Sequence, residues 1–193
     1  RLDILKKTIT SLESKVKLGE KKPEFGYHSQ VSDSEDEIKW VEVDLGRPTE
    51  VRRIVLRPAH DDFNGIGSGF GFPRRFTVSV SLDDTESSSK LIADFSKSDF
   101  ENPGLSQVEI KTETRARFIR VSATKLAKRS DDFIFALSEL QAFNAASENV
   151  ARKGTVIAKD SIEAPARWRK INLIDGIFPQ PTDPKAQSEL TKV

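Results

Sequence analysis

The sequence predicts an all-β sandwich, and three observations predict it. Apolar and polar residues alternate with a period of two, as in Arg75 to Ser81 (RFTVSVS), where Phe76, Val78 and Val80 share one face. Clusters of Gly, Pro, Asp, Asn and Ser punctuate these runs at short intervals. Between the first and last of them helical periodicity is almost absent.

Along the chain, Leu5, Ile9, Leu12 and Val16 make one apolar stripe at helical spacing, with Lys and Glu on the other faces. Residues 1–22 are therefore expected to be a helical connector. A coiled-coil contact is the sharper alternative, but so short a repeat rarely sustains one. The sandwich is expected over residues 23–147. Asp33, Glu35, Asp36 and Glu37 form an acidic turn, read as a solvated loop because no fixed backbone frame would hold a cation there. In Ile38 to Leu56, Val41, Val43 and Leu45 alternate with Glu42 and Asp44. Gly46-Arg47-Pro48 breaks the run, and Val51, Ile54, Val55 and Leu56 resume it, which predicts two strands joined at a turn.

Arg57 to Pro73 is too long and Gly-rich for a plain connection. It carries His60, Asp61, Asp62 and Asn64 beside Phe63, Phe70 and Phe72, and Gly69 to Pro73 reads as a packed corner. Gly67-Ser68-Gly69 lacks the strand, lysine and helix of a phosphate-binding loop. Further strands are expected at Leu91 to Phe95, around Val108 and Ile110, and at Phe118 to Thr124. Phe133 to Phe143 closes the sheet.

Three pieces carry a family resemblance: W-V-x-V-D-L-G at Trp40 to Gly46 with V-x-x-I-V-L at Val51 to Leu56, GFPRRFTVSVS at Gly71 to Ser81, and ARFIRVSATKL with ALSELQAF between Ala116 and Phe143. In this order they resemble discoidin modules, the coagulation factor 5/8 type C (galactose-binding-like) domains, over roughly residues 25 to 145. The resemblance implies a β-sandwich of jelly-roll topology whose end loops bind a ligand. Residues 148–178, with Val156, Ile157, Trp168, Asn172 to Gly176, resemble the opening of such a module, which normally precedes the W-V-x-V-D-L-G strand. They are expected to fold back and complete the same sandwich, because left alone they would expose a large apolar surface. The alternative is that a second module begins here. Residues 179–193 read as a linker or tail.

Charged residues make up 32% of the chain yet the formal net charge is +1, so no long-range field gathers nucleic acid or an anionic membrane. There is no Cys for a disulfide or a thiolate zinc site, and no run suits membrane insertion. The chain starts at Arg1 and reads as a processed product or part of a larger protein. Its histidines are His28, read as a structural hydrogen-bonder, and His60, open between a ligand contact and a loop-internal bond. A triad is defined by geometry, and the carboxylates sit in hydrophilic turns, so no enzyme is expected.

A sugar site needs an aromatic platform with a few fixed polar groups. His60, Asp61, Asn64 and Arg129 are candidates to bond hydroxyls, Phe63 or Phe133 to stack, with Asp131 in the second loop, Lys128 to Phe133. The alternative for each Phe is a loop anchor in a minor core. The resemblance further implies a structural calcium at Glu139 and Asp175. After Asp175-Gly176, however, Ile177-Phe178-Pro179 replaces the usual acidic, Thr-containing turn, leaving Glu139 open to pairing with an arginine. The reading is a non-catalytic carbohydrate-binding module, similar to those attached to bacterial glycoside hydrolases. It would belong to a larger exported protein (secreted, periplasmic or cell-surface), with carbohydrate and neighbouring domains as partners. The alternative is an architectural or protein-interaction domain that spaces its neighbours.

Overall fold

The structure, a computed structural model, describes residues 26–84 and 88–180; the helical connector expected over residues 1–22 and nearly all of the 179–193 tail lie outside the described residues. In chain order the strands are β1 (Tyr27–His28), β2 (Lys39–Arg57), β3 (Ala59–Asp61), β4 (Gly67–Phe70), β5 (Arg75–Ser81), β6 (Lys90–Phe95), β7 (Val108–Lys125), β8 (Ala127–Lys128), β9 (Phe133–Ile134), β10 (Ala136–Leu137), β11 (Glu139–Phe143) and β12 (Thr155–Ala158). Glu24–Phe178 form one compact unit.

Two long antiparallel strands make the frame. β2 pairs β7 from Lys39↔Ala123 to Leu56↔Val108. The turn expected at Gly46-Arg47-Pro48 is instead an irregularity within one strand, where the register shifts between Asp44 and Thr49. Both halves find partners on the same β7, so the chain kinks without reversing. Gly46 takes φ +79°. Asp44 accepts the Gly46 N–H at 2.7 Å and both arms of the Arg117 guanidinium at 2.9 and 3.0 Å. The runs expected as separate strands around Val108 and Phe118 likewise merge into β7.

The main sheet runs β11-β2-β7-β5-β6, with β12 also on β2. Val41, Val43, Phe76, Val78, Val80, Ile119 and Val121 fill its inner face. The short pairs β1–β10 and β8–β9, with their connections, cover that face through Tyr27, Leu126, Phe135 and Leu137. The outer face is polar: Glu42 accepts from Arg120 at 2.8 Å, and that guanidinium lies 4.2 Å over the Trp40 ring. This alternation of faces is the sandwich that the strand pattern calls for, with the jelly-roll topology that the resemblance implies.

The chain after β11 folds back onto the sandwich. β12 lies antiparallel to β2, with Val156 opposite Val43, and Ala151, Val156, Leu173 and Ile174 enter the main core. A second, smaller core gathers Ala59, Phe70, Ile134, Ala136 and Trp168 at the end of the sandwich that carries β3 and β4. The Gly69-to-Pro73 corner is buried, and Gly71 packs against Ala136 of β10. It has φ +66°, and a Cβ there would lie 2.6 Å from the Ala136 Cβ. Gly71→Ala therefore adds left-handed strain to a clash with the short, inflexible Ala136, and is expected to destabilise by about 2–4 kcal/mol in urea unfolding. An unchanged midpoint would mean the corner is looser than its packing shows.

Candidate functional site

The smaller core is the floor of the candidate site. The Trp168 and Phe70 rings stack at 5.5 Å between centroids, and the His28 ring meets Trp168 at 5.2 Å and Phe70 at 5.7 Å. His28 is buried, and its Nδ1 lies 2.6 Å from the Ser29 carbonyl. A carbonyl only accepts, so Nδ1 carries the proton of the neutral ring. Burial holds this imidazole down at about 4. His28 is thus a structural group, as its sequence context indicated.

Above this floor, the β3–β4 hairpin brings together several polar groups. His60 sits between two partners, with Nδ1 3.1 Å from the Ser68 hydroxyl and Nε2 3.1 Å from Asp62 Oδ1. Asp61 accepts the Phe63 N–H at 2.9 Å and an Arg167 guanidinium N–H. The turn between the strands places Asn64 in the left-handed region at φ 51°, which Asn tolerates better than most residues. Phe63 is left 48% exposed.

The β8–β9 hairpin meets this loop. Asn64 Nδ2 donates to the Arg129 carbonyl at 3.2 Å, and the Arg129 guanidinium lies 4.8 Å from the Phe63 ring centroid. Arg129 is held as a fork on Asp132, at 2.9 and 2.5 Å. These bonds hold the Asp132 carboxyl below the usual range.

Of the residues expected at the site, His60, Asp61, Phe63, Asn64 and Arg129 converge on one patch. Asp131 is exposed at the hairpin tip, while its neighbour Asp132 takes the arginine. Phe133 packs against the main core, and its backbone bonds that of Ser32, so it is placed as an anchor. Ser68, Asp132 and Arg167 were missed. Arg167 arrives from 106 residues away along the chain, and only the neighbouring Trp168 lies in a recognisable segment.

Ser68, His60 and Asp62 make a hydroxyl–imidazole–carboxylate chain. In hydrolases the acid of such a chain is buried, where its charge is unscreened. Here the Asp62 side chain is 65% exposed, so water screens it, and the chain orients the imidazole and ties β3 to β4.

Glu139 and Asp175 are also brought together. Glu139 is fully buried, and both its oxygens accept the Gly176 N–H at 3.0 Å. Burial pushes its carboxyl up to about 8, with Asp175 adding to the rise and Gly176, Arg152 and Arg57 opposing it. Asp175 is raised by burial as well. Its Oδ1 accepts the Ile177 N–H at 2.8 Å, and its carbonyl accepts Arg152 Nη2 at 2.9 Å. Calcium takes six to eight oxygens, often with one carboxylate bidentate. Here the position equidistant from both Glu139 oxygens is filled by an N–H donor, and a guanidinium occupies the Asp175 carbonyl. Among the described residues no third acid or imidazole joins the pair. This donor set does not fit calcium.

The family model described as the F5/8 type C domain matches residues 14–137. A search of curated proteins finds no match. Among solved structures, the chain is similar to a family 32 module from Clostridium perfringens in complex with GalNAc-β-1,3-galactose (17% identity, 63% of this chain and 77% of that one, TM-score 0.48). It is similar to the family 32 module of the C. perfringens protein NanJ in complex with galactose (15%, 63% and 77%, 0.48). A chitosan-binding module from a Paenibacillus chitosanase/glucanase is also similar (18%, 59% and 74%, 0.41).

Proposed function

This chain belongs to the F5/8 type C domain family, and on that premise we propose that it is a non-catalytic carbohydrate-binding module whose site is the patch around Phe63. The observation that carries the reading is an exposed aromatic ring set among oriented polar groups. Phe63 is half exposed, whereas Phe70, Phe72 and Phe76 are buried. A ring left in water beside an imidazole, an amide and a carboxylate suits a sugar, which has an apolar C–H face and hydroxyl edges. The surrounding groups are already held by one another: His60 by Ser68 and Asp62, Arg129 by Asp132, and Asp61 by Arg167. That pre-organisation reduces the ordering cost of binding. The module would tether a larger exported bacterial protein to polysaccharide.

The test is a glycan-array screen of the whole chain beside Phe63→Ala. Phe63 is exposed and outside both cores, so the variant is expected to melt like the parent while losing about tenfold or more in affinity for whichever glycan binds. Equal binding by the variant would move the site elsewhere. Failure of the folded parent to bind any glycan would favour the architectural role.

A further inference from the structure

The Glu139–Asp175 corner is where the family resemblance calls for a metal and the residues refuse one, and this disagreement has a structural counterpart. We infer that the guanidinium of Arg152, with the Gly176 N–H, fastens the folded-back segment to β11 in the place of a calcium ion, making this module independent of calcium.

Four observations converge. Arg152 stands on the 3-10 turn Val150–Lys153, and its Nη2 donates to the Asp175 carbonyl at 2.9 Å, so it clamps two ends of the segment that returns after β11. The guanidinium lies directly against Gly176, where a Cβ would come within 2.3 Å of Nη1 and within 2.8 Å of Cζ. Gly176 also has φ +79°, so the position accommodates no ordinary side chain and leaves its space to the arginine. The Gly176 N–H is equidistant from both Glu139 oxygens at 3.0 Å, the direction from which a bidentate cation would approach. Arg57 adds a second guanidinium on this side, pairing through Nε with Gln141 at 3.3 Å and lying 4.5 Å over the Phe178 ring.

A hard cation would have to displace Arg152 from the Asp175 carbonyl and turn the Gly176 amide away from Glu139, giving up one charge-assisted bond and one amide hydrogen bond already made. A fork-shaped guanidinium supplies positive charge and directional donors together. The segment it fastens, through the turn Lys170–Ile174, buries Leu173 and Ile174 in the main core. This latch concerns the fold itself and holds whether or not the patch at Phe63 binds sugar.

The test is thermal melting of the whole chain with saturating calcium and with a chelator, for the parent, Arg152→Met and Arg152→Lys. The parent is expected to melt at one temperature in both conditions. Arg152→Met should melt about 5 °C lower in both, the loss of a charge-assisted bond in a chain of this size. Arg152→Lys should recover part of that loss, since it returns the charge without the fork. A parent that melts higher with calcium overturns the inference, and so does an Arg152→Met variant that melts like the parent. Should Arg152→Met fail to fold, the parent's response to calcium and the Lys variant's shift still decide the matter.

Discussion

Trp168→Ala is expected to destabilise the protein by about 3–5 kcal/mol and to abolish binding at the Phe63 patch. The indole is 4% exposed, stacked on Phe70 and met edge-on by His28. It fills the smaller core with Ala59, Ile134 and Ala136, and backbone on both sides would have to collapse to close the cavity its loss leaves. It also fixes the neighbouring residue: Arg167, whose guanidinium lies 5.4 Å from the indole centroid, bonds Asp61, and the Arg167 carbonyl accepts the Gly26 N–H at 2.9 Å. Loss of the indole therefore loosens the floor and one wall of the patch together. Urea unfolding and glycan titration would measure the two effects. A variant that keeps the parent's stability would show that the smaller core is not a packed unit. One that loses stability but keeps affinity would separate the patch from its floor.

Acid is expected to weaken the fold through His28. The folded imidazole is held at about 4 by burial, against 6.5 for the ordinary ring. Between these two values the unfolded chain takes up a proton that the folded chain refuses. The contribution is therefore fully present above pH 6.5 and is lost as the pH falls through 4. At about 1.4 kcal/mol per tenfold change in proton affinity, the loss amounts to about 3 kcal/mol. Glu139 acts in the opposite sense. Its carboxyl is raised to about 8, so its contribution is present below 4.5 and fades as the pH rises through 8. The informative quantity is thus the difference between the parent and His28→Asn, whose amide can still donate to the Ser29 carbonyl. The variant is expected to lose stability at pH 7 through the smaller ring cavity, yet to decline less between pH 6.5 and 4. Equal declines for the two proteins would remove His28 as the source of acid sensitivity. Trp168 and His28 touch, so their substitutions are not expected to add.

Much of the architecture was legible in local pattern. Arg75 to Ser81 reads as a strand from its alternation alone, and β5 has those same bounds. The Gly69-to-Pro73 corner is announced by glycines and aromatics and is buried throughout. His60, Asp61, Phe63 and Asn64 lie within five residues of one another, so a single hairpin gathers them. Arg129 was legible as part of a mixed polar and aromatic loop, and only its contact with that hairpin awaited the fold.

By itself, then, the sequence determined the sandwich class, the main-sheet faces and the loop that carries the patch, because these follow from periodicity and turn chemistry within a few residues. Tertiary structure decided what depends on distant partners. Gly46-Arg47-Pro48 has the composition of a turn, but β7 pairs with both flanks and makes it a kink in one strand. Phe63 and Phe133 are the same residue type in similar loops, and packing against the main core is what separates the anchor from the exposed ring. Arg167 reaches Asp61 only because the segment after β11 returns along β2. At the Glu139–Asp175 corner, two residues that suit a cation in sequence are already engaged by Gly176 and Arg152. Partners separated by a hundred residues leave no periodic trace, so only the closed fold brings their charges and donors into register.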